Sequence, residues 1–380
     1  MGQNIFLLCS VIAMVRNQKF RRYSRLAIVV LFLSGLVCGS RAQSPIARPF
    51  GGDRVDQALA GAVNFLVFQQ DSQGAIADRG NPTAMTSLSL LAMASIGHQA
   101  GDPTPQGQAM RRGLEYILRD DRQDDSGYFG GRDGSRMYGH GITTLMLAEM
   151  IGHGADAEQD RRIIAKCQKG IDLILRSQQV AKKSRLAGGW RYTPDSLDAD
   201  LSVTVWQVMA LRAAHNAGLT IPSAAIDQAV QYLRESFSGE REGKRGKRSS
   251  VSTGFSYQPG SAPQFATTAA GLLAMQVCGQ YIAAEVVAAS DELLANPPSW
   301  NERWVLYGTY YYAQGMHQRG GEHAEAARKH VEQMLLPRQS KEGFWESGDG
   351  SERGPGRIYC TTLAMLSLSV KFHYLPIYQR

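Results

Sequence analysis

Two carboxylates stand one residue apart in Asp198-Ala199-Asp200-Leu201, directly before an apolar segment. A carboxylic acid kept neutral by burial can donate a proton, with a neighbouring carboxylate and hydrogen bonds setting its pKa. Asp200 is the candidate donor and Asp198 its partner. The same residue types cap helix N-termini, so Asp200 or Ser202 also reads as a cap. His140, in Tyr138-Gly139-His140-Gly141 behind Asp133 and Arg136, is the third candidate acid-base group. Its structural alternative is a hydrogen bond to a loop carbonyl. Trp190, Tyr192, Tyr257, Trp206, Trp345 and Tyr359 form a candidate aromatic set for a ligand, joined by Arg191, Asp195 and Gln264. Such rings equally fill the packing between repeated units. No Ser-His-Asp spacing, Gly-rich phosphate loop or His-Glu-x-x-His pattern occurs, so neither a metal nor a cofactor is expected. Cys167, Cys278 and Cys360 are sparse and widely spaced, which reads as buried free thiols.

These residues are set out by a repeat. One threonine recurs at the start of an apolar helix, at Thr86, Thr143, Thr204, Thr268, Thr309 and Thr361. Large apolar residues follow at four and seven positions, which is helical spacing on a helix buried on most sides. Gly97, Gly152, Gly218, Gly279 and Gly320 close five of the six. A more amphipathic helix precedes each, clearest at Val55–Gln69, Gln108–Arg119, Arg161–Gln178, Ala224–Glu235 and Glu325–Leu336. In the fifth unit this partner is short, Val286–Leu294, and ends at Asn296-Pro297-Pro298. A Gly-aromatic loop joins the two helices, as in Gly127-Tyr128-Phe129, Gly188-Gly189-Trp190 and Gly343-Phe344-Trp345.

A unit with one buried and one half-wet helix must stack on its neighbours. Six buried helices inside and six amphipathic ones outside satisfy both patterns. The expected fold is therefore all-α: a six-repeat α/α toroid over 55–380, with an open solenoid as the alternative. The insertion Gly239–Ser252 is rich in Lys, Arg and Glu and reads as a solvated loop.

The formal charge of +7 is mostly a property of the first 42 residues. They hold Arg16, Lys19, Arg21, Arg22, Arg25 and Arg41 and no acid, leaving 35 basic against 34 acidic residues in the rest. A near-neutral body argues against nucleic acid as a partner. The basic stretch, the apolar run Leu26–Val37 and small Ser40 and Ala42 read as a cleavable signal peptide over 1–42, with 43–54 a linker. The apolar run is short for a span, so an exported protein with no stable membrane span is expected; a signal anchor is the alternative. A start at Met14 would give a more conventional signal.

The third unit carries a resemblance. Lys169-Gly170, Leu173-Ile174-Leu175, Gln178-Gln179 and Gly188-Gly189-Trp190 are similar to the QW repeat of the terpenoid cyclase and protein prenyltransferase superfamily. The repeat pattern extends over roughly 55–378. The resemblance implies a six-plus-six α/α barrel with a cavity opening near the N-terminal ends of the inner helices. Class II cyclases carry an Asp-x-Asp-Asp motif whose middle Asp is the proton donor. Asp198-Ala199-Asp200-Leu201 matches it except at Leu201, which removes part of the support for Asp200. Prenyltransferases hold zinc through Asp, Cys and His. Aligned on Trp206-Gln207, Asp200 takes the Asp position, but Ser202 stands at the Cys position and Tyr359-Cys360 where the His is expected. The resemblance does not carry zinc across.

Three readings follow. The first is an exported cyclase-like repeat protein that binds an apolar, isoprenoid-like molecule in a central cavity, with its catalytic motifs incomplete. The second is a non-catalytic extracytoplasmic scaffold or binding toroid. The third is a carbohydrate-active toroid with an aromatic groove and paired carboxylates.

Overall fold

The computed structural model describes residues 52–238, 253–372 and 374–379. The signal segment, most of the linker and the insertion Gly239–Ser252 lie outside the described residues. Among the described residues, twelve α-helices alternate between two layers. The outer ones are α1 (Arg54–Phe68), α3 (Pro105–Ile117), α5 (Ala157–Gln178), α7 (Ser223–Glu235), α9 (Ala284–Ala295) and α11 (Gly321–Leu335). The inner ones are α2 (Pro82–Ala94), α4 (Arg136–Glu149), α6 (Leu201–Asn216), α8 (Phe265–Val277), α10 (Val305–Arg319) and α12 (Arg357–Leu368). Two short strands, β1 (Phe237–Ser238) and β2 (Gly254–Phe255), pair antiparallel in the fourth unit.

Burial follows the sequence pattern. Twelve of the thirteen residues of α2 are buried, against nine of the twenty-two in α5. Each inner helix packs on the next, and α12 packs on α2, so the ring is closed rather than an open solenoid. The five stop glycines all take positive φ.

A repeated set of contacts explains the closure. At the end of an outer helix, a glutamine amide donates two hydrogen bonds. One goes to the glycine carbonyl of its own loop, the other to a carbonyl of the next unit's outer helix. Gln70 reaches Gly74 and Ala109, Gln123 reaches Gly127 and Lys166, and Gln178 reaches Gly188 and Ala225. In the sixth unit Gln339 reaches Gly343 at 2.9 Å and Ala58, in α1, at 2.7 Å, which joins last to first. The loop glycine must come close here. A Cβ on Gly188 would lie 2.1 Å from the Gln228 carbonyl oxygen, at φ +86°.

Carboxylates and carbonyls from one loop also cap the inner helix of the preceding unit. Asp133 accepts from Ala84 N in α2, Tyr192 O from Met137 N in α4, and Tyr257 O from Leu201 N in α6. Glu352 accepts from Leu306 and Tyr307 N in α10. Asp78, in the first unit, accepts from Arg357 N in α12, closing the circle a second time. Buried helix ends need such partners.

The recurrent threonines now have a role. The loop aromatic's N–H donates to the hydroxyl: Trp190 N to Thr204 at 3.0 Å, Phe255 N to Thr268 at 3.2 Å, Trp345 N to Thr361 at 3.1 Å. They sit inside the helices rather than at their starts, because each inner helix begins three to seven residues earlier.

Candidate functional site

The N-terminal ends of the inner helices and the long loops before them converge on one face of the ring. Asp200 is the N-cap of α6 and is fully buried. Its Oδ1 accepts from Val203 N at 2.9 Å and from Ser202 Oγ at 2.7 Å. Its Oδ2 stands 3.6 Å from Arg191 Nε and accepts no well-formed hydrogen bond. Burial pushes the Asp200 pKa above the usual carboxylate value, while Ser202, the Val203 amide and Arg191 oppose it.

Arg191 holds this corner together. Its guanidinium lies 2.9 Å from Asp198, over the Tyr192 ring at 4.9 Å and the Tyr257 ring at 5.8 Å. The Tyr192 and Tyr257 hydroxyls are 2.5 Å apart. On the other side, Tyr138 meets Ser202 Oγ at 2.5 Å. Ser202 has one hydroxyl proton and gives it to Asp200, so Tyr138 must be the donor to Ser202. Tyr307 donates to Ser202 O at 3.1 Å, and Tyr359 lies in electrostatic reach of Tyr307 and Tyr138. Burial first, then neighbouring carboxylates and phenols, hold Tyr138, Tyr257, Tyr307 and Tyr359 above the ordinary phenol pKa. The mouth is thus a ring of five phenols around one arginine and a carboxylate pair.

Below it, aromatic side chains cross the interior. Trp206 in α6 stacks on Tyr310 and meets Tyr311 edge-on, both at 5.8 Å, although α6 and α10 are two places apart in the ring. Tyr311 meets Tyr307 at 4.8 Å, and from beneath the Tyr378 hydroxyl bonds that of Tyr310. Trp206 is 1% exposed. At this level the expected central cavity is filled by rings, because Trp206 of α6 and Tyr310 and Tyr311 of α10 meet there, whereas α2, α8 and α12 carry small or aliphatic residues at the matching positions.

The candidate residues therefore divide. Asp198, Asp200, Tyr192, Tyr257 and Tyr359 come together at the mouth. Trp206 forms the floor. Trp190 and Trp345 do not reach the mouth: they are buried wedges inside their units, giving their indole N–H to Ile174 O and Leu335 O at 2.9 Å. His140 is also elsewhere. It lies one turn inside α4, fully buried and turned outward toward α5. Its Nδ1 accepts from Phe129 N at 3.3 Å, so Nε2 carries the proton and donates to Gly170 O at 3.1 Å. It does in the second unit what threonine does in the first, third, fourth and sixth. Burial lowers its pKa to about 4. With both nitrogens engaged and no path to the mouth, it has no room for an acid-base role there.

Sequence reasoning passed over Tyr138 and Tyr307, and weighed Ser202 only as a cap or a misplaced ligand. A signal was present. Two residues before the repeated threonine stand Ala84, Gly141, Ser202, Ala266, Tyr307 and Tyr359, small in four units and Tyr in two. Among the described residues no group of three or more His, Cys, Asp or Glu side chains could hold a metal ion. Burial pushes the Cys167, Cys278 and Cys360 thiols up to about 12. No described helix is long and apolar enough to cross a membrane.

No family model and no curated protein matches the chain. Solved structures do. The apo type II terpene cyclase MstE from Scytonema superposes with a TM-score of 0.54 at 14% identity, over 83% of this chain and 97% of that one. An MstE variant holding its substrate, geranylgeranyl dihydroxybenzoate, gives 0.51 at 14%, over 84% and 97%. A glycosidase variant gives 0.54 at 13%, over 85% and 98%. The chain has the all-α toroid fold of the terpenoid cyclases, and a glycosidase shares it to the same degree. The likeness establishes the fold and leaves the chemistry to the site.

Proposed function

We propose that this protein is a ligand-binding toroid of the cyclase fold that works outside the cytoplasm without catalysing a reaction. Its ligand sits at the phenol-lined mouth beside Arg191. The observation that carries this reading is how Asp200 is used. A cyclase acid must be protonated and aimed at its substrate. Asp200 caps α6 and takes the Ser202 hydroxyl with one oxygen, and turns the other to an arginine. The filled interior supports the same reading, because a long isoprenoid chain would have to displace Trp206, Tyr310 and Tyr311. The ligand class is amphipathic: an apolar, isoprenoid-like end against the ring faces, and a polar end within reach of Arg191 and the hydroxyls. Export rests on the leader sequence. The test titrates the protein with a short polyprenyl alcohol, reads aromatic fluorescence, and analyses the recovered ligand. Saturable binding, weakened by Tyr192→Ala and Tyr257→Ala with the ligand returned unchanged, is the expected result. Cyclised product whose formation falls in Asp200→Asn would overturn it.

A second reading, residual acid chemistry at Asp200, is favoured by one observation: burial raises its pKa despite the arginine. The product analysis above separates the two.

A further inference from the structure

We propose that the C-terminal segment 374–379 is a displaceable plug in the base of the ring, on the face opposite the mouth, and that ionising Glu149 beneath it drives the plug out and opens an apolar socket. The segment follows α12 and crosses the C-terminal ends of other inner helices. Tyr374 lies against Gly97, the stop of α2, where a Cβ would come within 3.0 Å of its ring. The turn Pro376–Tyr378 packs on α6, and the Tyr378 hydroxyl bonds that of Tyr310 in α10. Leu375, Ile377 and Tyr378 are 3%, 2% and 6% exposed, as buried as the core. Yet the segment is neither strand nor α-helix: the bonds from Tyr378 N to Leu375 O and from Gln379 N to Pro376 O close only its own turn. A chain end held by side-chain burial rather than by a helix or ladder opens ahead of the rest of a fold.

Glu149 lies under this plug. It ends α4 and is buried, and the one donor acting on it is the Ile377 amide of the plug, in a bond too loose to be well formed. Tyr310 faces it from α10 and Tyr378 from the plug, and burial above all holds both phenols above their ordinary value. α2, α5 and α6, which pack against α4, bring it no charged group. While the plug is seated, the carboxylate has neither a cation nor water to meet it, and burial raises its pKa. A departing plug admits water. A carboxyl whose pKa is raised in the seated state stabilises that state at low pH, and the stabilisation is lost as pH rises through the raised value. Seating and ionisation are therefore alternatives. Tyr378 is also what holds Tyr310 from beneath, so its departure uncovers the lower side of the rings that fill the interior. The plug stands apart from the mouth, and its test involves no mouth ligand.

The experiment is hydrogen exchange of the full chain at pH 6, 7 and 8, read by mass spectrometry on the C-terminal and α6 peptides and corrected for the chemical exchange rate at each pH. Anilinonaphthalene sulfonate, a dye that brightens in apolar sockets, is titrated in parallel. The C-terminal peptide should open more often than α6 at every pH, and its opening should rise at least about tenfold between pH 6 and 8. Dye uptake should rise with it. Glu149→Gln and Glu149→Met, two neutral replacements, should abolish the pH dependence of both readouts. Tyr378→Phe, which keeps the ring and loses the hydroxyl, should open the segment more at every pH and leave the pH dependence in place. A C-terminal peptide protected as strongly as α6 overturns the proposal, because the segment then leaves only with the whole fold. So does wild-type opening that ignores pH, or a pH dependence that survives in both Glu149 variants. Dye uptake that stays flat while the segment opens overturns the socket.

Discussion

Glu149, the last residue of α4, offers a sharp test of how burial governs this fold. It is 4% exposed, and its oxygens accept no well-formed hydrogen bond. It also stands at a helix C-terminus, where the dipole disfavours negative charge. Burial pushes its pKa from 4.5 to about 8, the Ile377 amide offsetting only part of the effect. At pH 7 the folded protein therefore keeps a proton that the unfolded chain has released. Stability must fall as pH rises from the unfolded value of 4.5 to the folded value near 8, and flatten beyond it. Between pH 4.5 and 7 the loss is two and a half pH units at about 1.36 kcal/mol each, or roughly 3 kcal/mol as an upper bound. Glu149→Gln keeps the shape and removes the titration. Urea unfolding followed by circular dichroism at pH 4, 6, 7 and 8 measures the difference. The variant should match the wild type at pH 4 and exceed it by roughly 2–3 kcal/mol at pH 7. Glu149→Met serves as a second neutral variant in case the buried amide is poorly tolerated. A wild-type stability that tracks both variants at a constant offset across that range would refute the reasoning.

Two further outcomes follow from the structure. His140 titrates in the opposite sense: its folded pKa of about 4 lies below the ordinary 6.5, so its stabilisation is complete above pH 6.5 and is lost as pH falls toward 4. His140→Asn, which keeps a neutral polar group, should flatten this acid limb, and imidazole NMR signals that protonate near pH 6.5 would contradict the assignment. Gly188→Ala and Gly152→Ala share a φ near +85°, but only the first drives a Cβ into a carbonyl, at 2.1 Å against nothing within 4 Å. The first should cost about 3 kcal/mol or more and the second about 1–2 kcal/mol in thermal or urea unfolding; equal losses would show that the seam is not tight.

The repeat was legible because it is written in residue types that have one physical use each. Nearly all-apolar segments with a threonine and a closing glycine permit little besides buried helices, and the structure finds six of them inside a closed ring. The helix starts were harder. Taking Thr143 as the helix start left Met137 to Ile142 before it, yet Gly139 and Gly141 lie inside α4 and are small for packing, against Ala84 and Ser135 on one side and Trp206 on the other. That misplacement put His140 at the mouth. Asp200 was legible both as a carboxylate near the mouth and as a cap, and its capping bond is what the structure shows. Arg191 was legible as a neighbour of the loop aromatics, but its place between Asp198 and Asp200 is set by the fold. The filled interior escaped notice for a related reason. Tyr310, Tyr311 and Tyr312 lie on one apolar helix and read locally as core, whereas the reach of Tyr310 and Tyr311 to Trp206 across the ring is a matter of three dimensions.

The seams that tie Asp78 to Arg357 and Gln339 to Ala58 have a consequence for how the chain acquires its shape. A linear stack can grow from either end and lose its outer members piecemeal. Here the earliest-made unit waits for the latest, and neither has a complete set of partners until both exist. Removing the final helix pair should therefore not leave five healthy units but unravel the whole. Conversely, relocating the termini to the short link between Ala295 and Val305, with the old ends spliced, would keep every seam and should be tolerated, since a hoop has no beginning.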